Sequence, residues 1–166
     1  WDLEFHNSLK KRPGHSKSVS CLAVSDKLVA SGSQDSDILV WSLDTAQCLK
    51  RLSGHQMAVL SLAFSRDSNL LVSSGGDSLV KVWSLSTGDC TFEIKDYCFQ
   101  VSISPDSSLL LLASSSIKIF SLKEQTQIGE LKTKAVALSM DNEWVVSGGK
   151  NDSLKVWDLN SGTCIK

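Results

Sequence analysis

The sequence predicts an all-β protein assembled from repeated four-stranded units, and three observations carry that prediction. The stretch SGSQDSDILVW (31–41) returns as SSGGDSLVKVW (73–83) and SGGKNDSLKVW (147–157), with a weaker copy, ASSSIKIF, at 113–120. The aromatic residue closing each copy, taken with Trp1, gives anchors at Trp1, Trp41, Trp83, Phe120 and Trp157, spaced 40, 42, 37 and 37 residues apart. A period of ~40 residues marks stacked units, none of which can bury its apolar face alone. No window carries a sustained helical apolar period, whereas two-residue alternation is common.

Each period divides into four strands. The first, SVSCLAVS (18–25) or AVLSLAFS (58–65), alternates apolar and small polar residues as a strand covered on both faces does. Turns rich in Ser, Asp, Asn and Pro follow at SDK (25–27), SRDSN (65–69), SPDSS (104–108) and SMDNE (139–143). A second strand, LVAS (28–31) or LLVS (70–73), runs into a Gly/Asp turn and then the third strand with its terminal aromatic. A further turn, LSTGD (85–89) or LNSGT (159–163), precedes a fourth strand such as CLKRL (48–52). These connections are too short for crossovers, so each unit is an antiparallel meander. The glycines belong to hairpin turns, Phe64, Phe92 and Phe99 fall on strand positions, and Trp144, aligned with Leu28 and Leu70, belongs to the core between units.

Composition narrows the function. At 166 residues and 42% hydrophobic, the chain can bury a real core. A formal net charge of −1 argues against a general polyanion binder. The run Lys10-Lys11-Arg12 reads as a solvated strand end, and His6 as an exposed residue outside the pattern. No apolar stretch approaches the ~20 residues that span a bilayer, and no signal-peptide pattern opens the chain, although one that begins at Trp1 is expected to be a piece of something longer. Of the five cysteines, Cys48, Cys90 and Cys164 each follow a tryptophan by seven residues and read as small, half-buried strand residues. Cys21 and Cys98 show no metal-ligand spacing. No cofactor or metal is expected, a reducing compartment is favoured, and the acceptor-like Asn151-Asp152-Ser153 carries no weight there.

The repeats resemble the WD40 family. Gly14-His15 and Gly54-His55 open two units, Trp1-Asp2 and Trp157-Asp158 close others, and STGDC and NSGTC precede fourth strands. The resemblance implies a β-propeller of four-stranded antiparallel blades. Its units are an outer strand of a preceding or closing blade at 1–13, then repeats at 14–53, 54–95, 96–132 (degenerate) and 133–166 (outer strand cut short). It also implies that His, Ser, Asp and Trp form a hydrogen-bonded chain within a blade. That carries over to His15, Ser31, Asp35 and Trp41, to His55, Ser73, Asp77 and Trp83, and in part to Ser147, Asn151 and Trp157. Ser, His and Asp together evoke a hydrolytic triad, but geometry, not residue type, defines one. An enzyme has little reason to repeat its nucleophile and base in successive units, whereas a buried Asp is costly unless fully paired.

The pattern breaks in two places. Unit 3 has Tyr97 at the histidine position, lacks the Asp turn and ends on Phe120; unit 4 has Lys134 at the histidine position and Asn151 at the turn, with Asp152 one residue late. These departures read as drift in single repeats; the other reading is a face reshaped for a partner around 96–99 and 133–135. Family propellers have about seven or eight blades. Four units therefore belong to a larger propeller, to a four-bladed ring, or to an eight-bladed ring closed by a second copy through self-association of blade 4 with blade 1.

The function this implies is a non-catalytic protein-interaction platform, scaffold or autoregulatory module of a larger signalling protein, such as the NACHT or STAND type, in the cytoplasm or the nucleus. The other two readings are an enzyme using the propeller channel and a nucleic-acid clamp, the latter disfavoured by charge. The family's loop geometry implies a partner face built from Lys17, Gln34, Gln56, Met57, Gly76, Tyr97 and Lys150, anchored by Met57 and Tyr97.

Overall fold

Strands and turns account for every element in the computed structural model, which describes residues 14–133, 137–141, 143–148, 154–159 and 161–166. The first blade pairs β1 (Val19–Val24), β2 (Leu28–Ser33), β3 (Asp37–Ser42) and β4 (Cys48–Ser53) in chain order. The second pairs β5 (Val59–Phe64), β6 (Leu70–Gly75), β7 (Leu79–Ser84) and β8 (Cys90–Lys95). The third pairs β9 (Gln100–Ile103), β10 (Leu109–Ala113), β11 (Ile117–Ser121) and β12 (Thr126–Leu131). The fourth is a three-stranded sheet of β13 (Ala137–Met140), β14 (Trp144–Gly148) and β15 (Leu154–Asp158). Cys164 bridges to Trp157, and Ile165 N–H donates to the Val156 carbonyl, so the last residues lie along β15 as an outer strand would. All pairings are antiparallel.

The turns repeat one device. In the turn before β6, Ser65 Oγ donates to Asp67 Oδ1 at 2.6 Å, and that carboxylate accepts the Asn69 N–H at 3.1 Å. The turn before β10 repeats it with Ser104, Asp106 and the Ser108 N–H, and Asp141 accepts from Glu143 and Trp144 before β14. Short polar side chains that bond their own backbone favour turns over continued strand.

The blades pack in series through their inner strands β1, β5, β9 and β13, and the core lies between sheets rather than within one. Ala30, Ile38, Val40 and Leu52 of blade 1 meet Val59, Leu62, Leu71 and Trp83 of blade 2. Val72, Val80, Val82 and Ile94 of blade 2 meet Val101, Leu110, Leu112 and Phe120 of blade 3. Leu111, Ala113, Ile117 and Leu131 of blade 3 meet Val145 and Trp157 of blade 4. Because neighbours along a strand point to opposite faces, each anchor aromatic packs toward the blade before its own.

Several expectations are corrected. β1 is covered on one face only: Leu22 and Val24 are exposed on the other, against which no described blade packs. Trp144 is 38% exposed rather than core. It alternates with Val145, which faces blade 3, so it occupies the side on which Leu28 and Leu70 meet a following blade, and no described residue covers that side. Phe99 lies outside β9 and is exposed. Cys48, Cys90 and Cys164 are exposed because each opens an outer strand opposite its tryptophan, at the blade rim. Glycines also sit within strands, at Gly32, Gly75, Gly129 and Gly148. Trp1, His6, Lys134, Lys150, Asn151 and Asp152 lie outside the described residues.

Candidate functional site

Two sets of residues call for a functional account: the paired His-Ser-Asp-Trp constellations, and the loops they sit beneath. In blade 2, Trp83 Nε1–H donates to Ser73 Oγ at 2.8 Å, His55 Nε2 lies 2.7 Å from the same oxygen, and His55 Nδ1 lies 3.0 Å from Asp77 Oδ2. An indole N–H only donates. An ionised carboxylate only accepts, so His55 Nδ1–H donates to Asp77; in the neutral ring Nε2 then accepts the Ser73 hydroxyl proton, while the serine oxygen accepts from the indole. Asp77 also accepts the N–H groups of Gln56 at 2.8 Å and Leu79 at 3.2 Å. Every member is satisfied, as a buried polar chain requires.

Blade 1 repeats the arrangement. Trp41 Nε1–H donates to Ser31 Oγ at 2.9 Å, His15 Nε2 lies 2.8 Å from that oxygen, and His15 Nδ1 is 3.1 Å from both Asp35 oxygens. Asp35 accepts the Ser16 N–H at 2.7 Å and the Asp37 N–H at 3.2 Å. In blade 4 the described part is Trp157 Nε1–H donating to Ser147 Oγ at 3.0 Å; Asn151 lies outside the described residues.

Burial sets the protonation states. Removal from water holds the His55 imidazolium below its ordinary pKa, against the opposing pull of Asp77, so the ring is neutral near pH 7. Burial also works to raise the Asp35 and Asp77 carboxyls. Backbone N–H donors and the paired histidine outweigh it, taking Asp35 down to about 2 and Asp77 below its usual range. Burial pushes the thiols of Cys21 up to about 11 and Cys98 up to about 12, which keeps both protonated at neutral pH. Ser73 is 0% exposed, with its oxygen already committed to the indole and the imidazole. Among the described residues no group of three or more His, Cys, Asp or Glu side chains is placed to hold a metal.

A pH dependence follows from these states. His55 has a lowered folded-state pKa, so its contribution to stability is present above its unfolded value of 6.5 and is lost as pH falls below it. Asp77, also lowered, adds stability above 3.8 that is lost on further acidification. The melting temperature is therefore expected to fall between pH 7.5 and pH 5. A His55→Gln variant should be less stable at pH 7.5 and lose less over that interval; an equal loss in both proteins would contradict the assignment.

The loops above these chains make one end of the blades. The Gln34 N–H donates to the Ser18 carbonyl and Gly76 N–H to Ala58, tying each inter-blade connection to the turn between second and third strands. Lys17, Gln34 and Gln56 are exposed there, Met57 is 56% exposed, and Gly76 lies beneath Met57. In blade 3, Tyr97 is 45% exposed and turns out to solvent rather than inward as His15 and His55 do. Its ring meets Phe99, itself 53% exposed, edge-on with centroids 5.1 Å apart. Asp96 is tied instead to Lys118 Nζ at 2.8 Å, and Ser116 Oγ donates to the Glu130 carboxylate. Phe99 is the member of this face that the sequence reading missed. Counting two residues past the histidine position gives Lys17, Met57 and Phe99 in turn, which would have found it.

Four antiparallel meanders packed in series by their inner strands define part of a β-propeller. The chain belongs to the WD40 family: residues 6–42, 46–84 and 125–158 match the family profile of the WD domain, G-beta repeat. The matched segments pass over 85–124, which includes the first three strands of blade 3. Among curated proteins, the p21-activated protein kinase-interacting protein 1-like of Danio rerio is 30% identical over 91% of this chain and 43% of its own length. U3 small nucleolar RNA-interacting protein 2 of Homo sapiens is 43% identical over 37% of this chain and 13% of its own. The crystal structure of the Cps50 (Swd1) β-propeller domain of Myceliophteria thermophila matches the fold with a TM-score of 0.83 at 19% identity, over 92% of this chain and 56% of that one. The chain spans less than half the length of the curated relatives it matches.

Proposed function

We propose that this chain is a non-catalytic protein-interaction platform whose binding surface is the loop face carrying Met57, Tyr97 and Phe99. The observation that carries the reading is the contrast between the two sets of residues. The groups that mimic a hydrolytic triad are sealed and fully paired, while three large apolar side chains stand exposed on the loops above them. Exposed aromatic and methionine side chains backed by a rigid scaffold are what binding anchors require. The braces supply the rigidity: Asp77 holds the Gln56 N–H directly before Met57. The relative from Danio rerio, named for interacting with a protein kinase, supports a protein as the partner. Similarity to a protein named for a small nucleolar RNA supports placement in the nucleus.

Met57→Asp combined with Tyr97→Ala is expected to abolish recovery of the protein's partners by crosslinking in its own cells, with the melting temperature unchanged. Asp44→Lys, in the turn at the opposite end of blade 1, should leave recovery intact. Partner recovery that survives the double variant would place the platform elsewhere.

Self-association has its own support. Leu22 and Val24 are exposed on the open side of blade 1, and Trp144 and Leu154 on that of blade 4. Pairing those sides between two copies would cover both, and sedimentation at micromolar concentration should then give a dimer that Leu22→Glu dissociates. A monomer under those conditions would refute it.

A further inference from the structure

We infer that the loop face takes an acidic peptide segment with an apolar core, the inference resting on the platform reading above. The first observation is the arrangement of the apolar anchors. β5 and β9 are adjacent inner strands, the Val101 N–H donating to Ser61 Oγ at 3.2 Å. Met57 and Phe99 each precede by two residues the buried valine of their strand, Val59 or Val101, and so occupy equivalent places on one rim. Tyr97 stands against Phe99.

The second observation is charge. Lysines flank this rim: Lys17 enters β1, Lys95 ends β8 immediately before the Tyr97 loop, and Lys132 follows β12 at the same end of blade 3. All three are exposed, and none forms an ion pair among the described residues. Most carboxylates at this end are engaged instead, Glu130 only with the Ser116 hydroxyl. Asp35 and Asp77 hold histidines, Asp37 pairs with Arg51, Asp96 with Lys118, and Glu93 with Lys81. Asp35 and Asp77 keep their charge beneath the loops, with side chains only 4% and 6% exposed, so the solvent-facing unpaired charge beside the apolar patch is mostly lysine, with Glu130 the exposed exception.

The opposite end of the blades is far more acidic. Among the described residues its turns carry Asp26, Asp44, Asp67, Asp89, Asp106, Glu124, Asp141 and Glu143, against the cations Lys27, Arg66 and Lys123. A formal charge of −1 thus conceals a molecule with two electrically distinct ends. An acidic segment is repelled from one end and finds unpaired lysines at the other, and complementarity of this kind governs encounter rate and orientation. The apolar rim then selects among acidic segments those with aliphatic or aromatic residues between the charges.

A single-stranded nucleic acid also combines negative charge with apolar rings. The geometry favours the peptide. Tyr97 and Phe99 are inclined at 80°, so the edge of one ring occupies the face of the other, and the pair does not offer two parallel platforms for successive bases.

The test uses fluorescence anisotropy of the protein with a labelled peptide carrying a Leu-Phe pair between two Glu-Glu-Asp runs. A control peptide replaces every acid by lysine, and a labelled oligouridine serves as the RNA arm. The acidic peptide is expected to bind and the lysine peptide not to. Lys95→Glu with Lys132→Glu, and separately Phe99→Ala, should each weaken binding by about tenfold, and raising the salt should weaken it further. All three substituted side chains are exposed, and an unchanged melting temperature will certify the fold of each variant. Equal binding of the two peptides, tighter binding of oligouridine, or affinity indifferent to both sets of substitutions overturns the inference. If the platform variants abolish partner recovery while the acidic peptide fails to bind, this inference falls and the platform stands. If partner recovery ignores the loop face altogether, both fall.

Discussion

Replacing Asp77 with alanine is expected to lower the stability of the protein by about 2–3 kcal/mol, at the upper end of what one buried acceptor costs. The carboxylate serves three donors at once: the His55 ring, the Gln56 N–H and the Leu79 N–H. Its loss leaves His55 Nδ1–H without an acceptor in a site where the histidine side chain is fully shielded. For a chain of this size the melting temperature should fall by about 5–10 °C. Asp77→Asn keeps an oxygen for part of the set and should fall between the two. Asp77→Ala also frees the connection that carries Met57, so on the proposed loop-face reading partner affinity should drop although the Asp77 side chain is only 6% exposed. A melting temperature unchanged in Asp77→Ala would remove the brace from the account.

Gly32→Val should be comparably damaging for an unrelated reason. A Cβ at Gly32 would stand 2.6 Å from Cys21 Sγ, 2.6 Å from Val59 Cγ1 and 2.9 Å from Val59 Cβ, closer than real side chains approach. Gly32 is where β2 lets the first strand of blade 2 come near, and Ser20 Oγ donates to the Val59 carbonyl across the same seam at 2.5 Å. Forcing bulk into a packed seam costs about 1–3 kcal/mol. A double-mutant cycle isolates the cause: Val59→Ala makes room beside the new side chain and should restore part of the loss caused by Gly32→Val. Strictly additive effects would show that the strain lies elsewhere.

The periodicity of the anchor aromatics was enough to read the blades, because each strand's fit depends on neighbours within about one repeat. The braces were legible for a similar reason: Ser31, Asp35 and Trp41 lie in one short stretch, and the repeat at Ser73, Asp77 and Trp83 shows that the spacing is no accident. What alternation cannot reveal is which neighbour covers a given face. Trp144 and Leu22 have the pattern of core residues, and their exposure depends on the blades beside them. Gly32 escaped because its constraint comes from Val59 of the next blade, and a local reading sees only a glycine. Phe99 looked like one more strand aromatic. Its outward position follows from a loop in which Tyr97 has abandoned the inward place that His15 and His55 keep.

The direction in which the anchor aromatics point has a consequence for how such a chain can change length. Trp83 lies near the end of the third strand of blade 2 yet spends its apolar surface on blade 1, and Phe120 and Trp157 lean back in the same way. A copied segment of about forty residues therefore arrives as a cassette with a plug for the blade upstream and a socket for the blade downstream. Inserted anywhere in the series, it meets a matching socket and a matching plug, so gain or loss of a cassette leaves the interior joints intact. The whole cost falls at the two ends, where Trp41 is a plug without a described socket and the Trp144 side of blade 4 a socket without a described plug.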